Sequence, residues 1–333
     1  MAYTPAGNLT TSSGLKHLVS VYYDRVALTA LRKKFMFWKG VDTRTLPKKN
    51  GKTIQFYHRY SQFGANTTPT SEGAVGSSLQ MQSTTVSAVV SQYADFISFS
   101  DLLVDTAPDN DIVAVGADQL GYRAGLTVDT ILRNEVDSVA AHTNVPLLGQ
   151  SFSSADVANV RHRFAGLDIR PFGDGYYKCL LHPYIAYDFI HDPSVGGFVD
   201  VVKQGGEGKN RLFQMEDRGF IARWSGVEIW ESTNVHMESV QTTSGTKNLY
   251  RVYFFGQEGL GAIDLAGRGP TRTEDQDRTK FAVNVVREMT PSIANPEGKI
   301  RAAVSYNFVF AAKVLDTNPY RIRTIDAPSS LGL

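Results

Sequence analysis

The chain has 333 residues, a formal net charge of +1, and apolar (42%) and charged (20%) fractions of ordinary globular size, which exclude wholesale disorder. One cysteine, Cys179, excludes an intrachain disulfide and fits a reducing compartment or stabilisation by other means. No apolar run approaches the roughly 18 residues of a membrane helix, and MAYTPAGNLTTSS lacks a basic stretch followed by an apolar one, so neither membrane span nor signal peptide is expected.

Near-neutrality hides segregation. Residues 1–60 carry eleven Lys/Arg against Asp24 and Asp42, a net of +9. Residues 91–140 carry nine acids against Arg123 and Arg133, a net of −7. Such asymmetry implies complementary packing within or between subunits, contact with a polyanion, or simply solvated faces.

In chain order, residues 1–14 read as an arm. Leu15–Met36 has helical spacing at Leu18, Tyr22, Val26 and Leu31, with Arg32, Lys33 and Lys34 in the last turn complementing the macrodipole. Phe35–Trp38 is an aromatic patch, Gly40 breaks the pattern, and Pro47–Gly51 is a turn. Then comes the most informative tract, Ser61–Ser100, which has no lysine or arginine and only Glu72 and Asp95 as charges. Its flanks, Lys52–Tyr60 and Gln82–Ser100, are rich in β-branched and aromatic residues. Two extended arms with a Gly/Pro/Ser tip predict a long projecting hairpin. A two-stranded hairpin that cannot bury its own faces must bury them elsewhere, here on another copy of the chain.

Asp109–His142 carries the longest helical pattern. Leu120, Ala124, Val128, Leu132, Val136 and Ala140 recur every four residues, with Gly116, Gly121 and Gly125 inside the pattern for close backbone approach. Ser153/Ser154–Ala165 predicts a capped helix, Tyr176–Leu181 a strand, and His182-Pro183 a further helix through Phe189. Val195–Asn210 is a glycine-rich loop. Strands follow at Phe220–Trp230 around Ser225-Gly226, Leu249–Phe255, Thr279–Arg287 and Lys299–Leu315. Helix and strand runs segregate, so the expected class is α+β.

No catalytic or nucleotide motif is present. Gly205-Gly206-Glu207-Gly208-Lys209-Asn210 lacks the phosphate-loop frame, Gly259-Leu260-Gly261 lacks the third glycine of a dinucleotide turn, and Gly149-Gln150-Ser151 lacks the closing glycine of a nucleophile elbow. Cys179 and His182 have no further ligand set for zinc, and a half-buried thiol explains the cysteine. His182 and His191 flank an aromatic helix as caps or interface residues. Asp105, Asp109 and Asp111 read as helix-capping acids before a cation cluster. Neither a catalytic residue, a cofactor nor a metal is therefore expected. The basic arm lies beside no motif for sequence-specific nucleic-acid reading.

Pro47–Gln55 (PKKNGKTIQ), Gln92–Leu103 (QYADFISFSDLL) and Gly116–Glu135, together with the order of the elements around them, resemble a tailed-phage major capsid protein. The resemblance in order covers nearly the whole chain. It implies the shell fold shared by tailed phages and herpesviruses: an N-terminal arm and helix (1–50), an extended-loop hairpin (51–100), a peripheral domain with a spine helix (101–170), an axial domain (171–270), and return strands with a C-terminal tail (271–333). Within these, Ser61–Tyr93 resembles the extended loop, Asp109–His142 the spine helix, and Pro171–Gly269 the axial domain.

The resemblance further implies hexamers and pentamers in an icosahedral phage head around double-stranded DNA, held by non-specific contact. It implies a separate scaffolding protein, a portal, possible decoration proteins, and assembly in the host cytoplasm into a virion capsid. Some relatives cross-link through a lysine in the extended loop; no lysine occurs here between Lys52 and Lys178. The inter-subunit contacts expected are Pro69, Glu72 and Gly73 at the hairpin tip, Arg32, Lys33 and Lys34 on the arm, and the acids Asp101, Asp105 and Asp109. The arm cations have two destinations, DNA or these acids, and charge matching favours the acids. Rival readings are a cellular nanocompartment shell of the same fold, or an α+β enzyme with an unrecognised site.

Overall fold

The computed structural model describes residues 36–47, 49, 51–60, 63–73, 75–76, 78–100, 103, 112–146, 151–192, 219–242, 245–265, 282–286, 301–315 and 320–331. The expected Leu15–Met36 helix, except Met36, and the glycine-rich loop from Val195 to Asn210 lie outside them. Phe37–Gly40 is a single 3₁₀ turn whose Phe37 is fully buried. Gly40 is required there, because a Cβ would sit 2.6 Å from the Phe255 ring.

Two sheets form the body. The first has five strands: β1 (Val41–Leu46) runs parallel to β11 (Leu260–Leu265), which pairs antiparallel with β13 (Arg301–Val314). On β13 also lie β12 (Ala282–Val286) and β4 (Ser91–Ser100), both antiparallel. The second has seven: β5 (Asn144–Pro146), β14 (Ile322–Pro328), β10 (Gly245–Phe255), β6 (Tyr177–Leu181), β8 (Val227–Glu231) and β7 (Phe220–Trp224) in that order, with β9 (Met237–Thr242) on β10. The β7–β8 hairpin turns at Ser225 and Gly226, both at positive φ (48° and 78°), as the sequence pair suggested.

The helix α1 (Ile112–Thr143) carries the four-residue stripe to its conclusion: Leu120, Ala124, Val128, Leu132 and Val136 are all buried in the main core. Gly116 admits the ring of Phe99 from β4, whose Cζ would lie 2.5 Å from an added Cβ. What approaches this glycine is a side chain rather than a second backbone. The helix α2 (Ser154–Gly166) starts where Ser153 N–H donates to Asp156 Oδ2 at 2.9 Å. The helix α3 (Pro183–Ile190) starts with Pro183 at its first turn and His182 Nδ1 accepting from Tyr184 N–H at 3.2 Å. One apolar cluster joins α1 and both sheets; a satellite of Leu46, Ala88, Ile263, Ala311 and Leu315 sits under the hairpin base.

The hairpin is present. Strand β2 (Thr53–Tyr60) pairs antiparallel with β3 (Ser83–Val89), from Thr53↔Val89 to Tyr60↔Ser83, with an irregularity between Gln55 and Tyr57. Val90 N–H closes its base on Lys52 O at 3.0 Å. The second arm differs from the continuous Gln82–Ser100 strand expected. It breaks at Val90, and β4 leaves the hairpin to pair with β13 from Ser91↔Phe310 to Ser100↔Arg301. Alternation explains the change of partner: Tyr93, Asp95, Ile97 and Phe99 face inward, whereas Gln92, Ala94, Phe96 and Ser98 are exposed.

Candidate assembly surface

The hairpin's far end has no regular structure among its described residues, and residues 63–73, 75–76 and 78–82 are all exposed. Phe63, Leu79 and Met81 lie open, and Val75 is 98% exposed. An Asx turn sets part of its path, Asn66 Oδ1 accepting from Thr68 N–H at 3.1 Å. Gly73 has φ 83°, so the glycine at this predicted site is conformationally required. Pro69, Glu72 and Gly73 are thus exposed together on this segment, and Glu72 meets no cation among the described residues. Arg32, Lys33, Lys34, Asp101, Asp105 and Asp109 lie outside the described residues.

The hairpin is exposed at its tip but anchored at its root. Ala88 is buried, with Ile54 and Val90 packed beside it on the satellite core. Next along the chain, Asp95 accepts from Tyr306 O–H at 2.6 Å and from Arg123 Nε at 2.8 Å, tying β4 to β13 and α1. Burial, with the Asp95 carboxylate beside it, pushes the Tyr306 phenol up to about 12. Tyr93 stacks on Phe308 with centroids 5.6 Å apart.

A polar ladder fastens α1 to the second sheet. Asp129 Oδ1 accepts from Phe37 N–H at 2.8 Å, and Asn234 Nδ2 donates to Asp129 Oδ2 at 3.1 Å. Arg133 donates to Asn234 Oδ1 at 3.0 Å. Asp137 Oδ1 accepts from Arg251 at 3.0 Å and Tyr253 O–H at 2.9 Å, while Arg251 also forks onto Asp326 at 2.8 and 3.0 Å. Burial alone would lower the Arg251 guanidinium; Asp326 and Asp137 outweigh it and hold it above its ordinary value. On the first sheet, Lys313 of β13 donates to Glu135 at 2.9 Å. Several acids of the −7 segment are therefore answered inside the same chain, by Arg123, Arg251 and Lys313.

Neither a protein-family model nor a curated protein sequence matches the chain. Solved structures do. The capsid of Ralstonia phage GP4 superimposes with a TM-score of 0.63 at 13% identity, covering 87% of each chain. The capsid of cyanophage P-SCSP1u gives 0.60 at 12% identity, again with 87% of each chain. An encapsulin from Synechococcus elongatus gives 0.54 at 12% identity, covering 89% of this chain and 88% of its own. The fold is that of a tailed-phage major capsid protein. The resemblance read from element order and the α+β class both hold.

The capsid fold also absorbs the residues weighed as chemistry. Cys179 is fully buried on β6, and burial pushes its thiol well up, away from reactivity. His182 is a helix cap stacked on Tyr250 at 4.4 Å, with its imidazole pushed down by burial. His191 closes the same helix, its Nδ1 lying 2.9 Å from Tyr187 O. Among the described residues no group of three His, Cys, Asp or Glu could hold a metal ion. Besides the ladder on α1, sequence reading missed a second charged cluster. Lys178 donates to both Asp174 and Glu228, and Arg223 forks onto Glu228 at 3.0 and 3.2 Å. Burial alone would raise the Glu228 carboxyl; Lys178 and Arg223 overcome it and hold it below its usual range. The alternation of charges across β6, β7 and β8 was its only signal, and it requires knowing that these strands are neighbours.

Proposed function

We propose that this chain is the major structural subunit of a phage head, assembling as hexamers and pentamers into an icosahedral shell that encloses double-stranded DNA. The observation that carries the reading is the pairing of a rigid capsid-fold body with an exposed, partly apolar extended loop. The loop's root is packed and hydrogen-bonded; among the described residues the apolar side chains of its outer part, Phe63, Val75, Leu79 and Met81, are exposed. In a shell a neighbouring subunit covers them, and large total interface area replaces covalent staples. The domain division that goes with this reading is an N-terminal arm and helix (1–50), an extended-loop hairpin (51–100), a peripheral region with the spine helix (101–170), an axial region (171–270), and return strands with a C-terminal tail (271–333). A separate scaffolding protein and a portal would complete assembly in the host cytoplasm, with the product in the virion.

The likeness to an encapsulin supports a second reading, a nanocompartment shell around cargo protein. Electron microscopy of purified particles with nuclease treatment separates the two. Closed shells holding nuclease-protected duplex DNA support the head; shells holding a stoichiometric protein and no nucleic acid support the compartment. Protein that stays monomeric at high concentration, even with co-expressed scaffolding protein, defeats both.

A further inference from the structure

Strand β10 of the second sheet ends at Phe255 and strand β11 of the first begins at Leu260, so residues 256–259 carry the chain from one sheet to the other. Both sheets hold this crossing. Gly256 N–H donates to the carbonyl of Arg321, just before β14, at 2.8 Å. Leu315 N–H, just after β13, donates to Gly259 O at 2.9 Å. Arg321 adds its side chain, donating to Gln257 O at 3.2 Å and to Glu258 Oε2 at 2.7 Å. From β1, Asp42 Oδ2 accepts the Glu258 N–H at 2.5 Å.

Two features of this crossing work against it. Glu258 has φ 59°, in the left-handed region that a residue other than glycine enters at a cost. The bond from its N–H also draws a second acid, Asp42, onto the turn that carries its own carboxylate. Asp42 is half-buried, and burial, the largest cause, pushes its carboxyl above the ordinary aspartate range. The Glu258 N–H opposes that rise, and the Glu258 carboxylate adds to it. Arg321 opposes it, as does Arg44, exposed two places on along β1 and on the same face as Asp42. A buried acid beside a second acid, on a strained turn, marks an arrangement with two states rather than a passive joint.

We propose that Asp42, Glu258 and Arg321 form a proton-sensitive clasp on the passage between the two sheets, drawn tight when Asp42 takes up a proton and slackened when it gives one up. The proton sits on the Asp42 carboxyl, whose other oxygen still accepts the Glu258 N–H. With the charge gone, burial no longer penalises Asp42 and the repulsion from Glu258 disappears, while Arg321 keeps its pair with Glu258. An open crossing would return Asp42 to water and to its ordinary value of about 3.9. Closing therefore takes up a proton between that value and the raised one, so the clasp is strongest in acid and weakens as pH rises through the raised value. It is a property of the single subunit and holds whatever the shell encloses.

Hydrogen exchange of the peptide spanning Phe255 to Leu260, in the unassembled full chain and corrected for the intrinsic rate, tests the clasp. Wild type, D42N and E258Q are compared at about pH 7.5 and about pH 4.5, the lower value staying above the ordinary aspartate range. Wild type should gain protection by about threefold or more on acidification. D42N keeps an acceptor for the Glu258 N–H without the charge. It should show the same protection at both pH values, at least as high as wild type at the upper one. E258Q removes the repulsion but not the burial, so its acid gain should be smaller than that of wild type; this comparison decides the matter should D42N fail to fold. Wild-type protection that is flat or falls in acid overturns the clasp. So does an acid gain that survives in D42N, or one that is undiminished in E258Q.

Discussion

Strand β10 and the extended loop use similar residues to opposite ends. Val252, Tyr253, Phe254 and Phe255 on β10 are fully buried, flanked by β14 on one side and β6 and β9 on the other. Phe63, Val75, Leu79 and Met81 on the loop are exposed. Hydrophobicity does not separate them. What differs is whether the chain supplies a second layer. β10 lies in a seven-stranded sheet backed by α1; the β2–β3 ribbon has two strands and ends beyond the reach of the body. A two-stranded ribbon is marginal in water alone, and in the proposed shell the loop's apolar residues are covered by another copy.

The comparison breaks most sharply on deletion. Removing Asn66–Ser78 takes out exposed residues while sparing Ala88 and the satellite core. Shell formation should be lost while the subunit's melting temperature and circular dichroism stay as in wild type. Normal shells from the deletion would show that the loop carries none of the assembly.

Paired truncations sharpen the same contrast. Phe254→Ala should destabilise the subunit by about 3–5 kcal/mol, as a cavity in a closed core does. Val75→Ala should leave subunit stability within about 0.5 kcal/mol and show itself only in assembly yield. Denaturant unfolding of the unassembled protein measures both. Equal destabilisation by the two would mean that the loop folds back on its own subunit.

The body should also answer to acid where the loop does not. Asp174 and Glu228 both have carboxyls held below their usual range, against burial, by Lys178 and, for Glu228, also Arg223. Their contribution is fully present above the unfolded value of about 4.3 for Glu and 3.9 for Asp, and is lost as pH falls through the lower folded values. Glu228→Gln should cost about 1–3 kcal/mol at neutral pH and flatten the loss of stability below about pH 4. An unchanged acid slope would show that the cluster contributes no linkage. Smallest of all is the effect expected of Glu72→Ala: an exposed rim charge contributes about 0–1 kcal/mol to a contact, so shells should form from this variant, and a complete block would reveal a buried partner on the neighbour.

The elements most legible in the sequence were those with one strong local signal. The α1 stripe repeats every four residues, and the loop is a long tract without cations between two β-rich arms. Strands β1, β11 and β14 were not read. β11 begins at Leu260 inside a Gly-Leu-Gly run, and β14 places Arg323 and Asp326 where a strand core would show aliphatic residues. Asp326 is tolerated because Arg251 forks onto it from β10, a partner 75 positions away that no local pattern exposes. The break at Val90 was also hidden, because both halves of the arm have the same β-rich composition and only pairing distinguishes them. Of the proposed contacts, Pro69, Glu72 and Gly73 were legible as a tip, whereas the ladder of Asp129, Arg133 and Asp137 became visible only once α1 was set against Phe37, Asn234 and β10.

Hydrogen exchange across residues 63–82, read in the unassembled subunit and again in the assembled particle, tests the central claim most directly. Described residues in this stretch lack regular backbone pairing within the subunit, so the free chain should exchange there at rates close to those of an unstructured peptide. In the particle the same stretch should be protected by at least about tenfold, while β10 is protected in both states. Equal, rapid exchange of the loop before and after assembly would contradict its burial on a neighbouring copy.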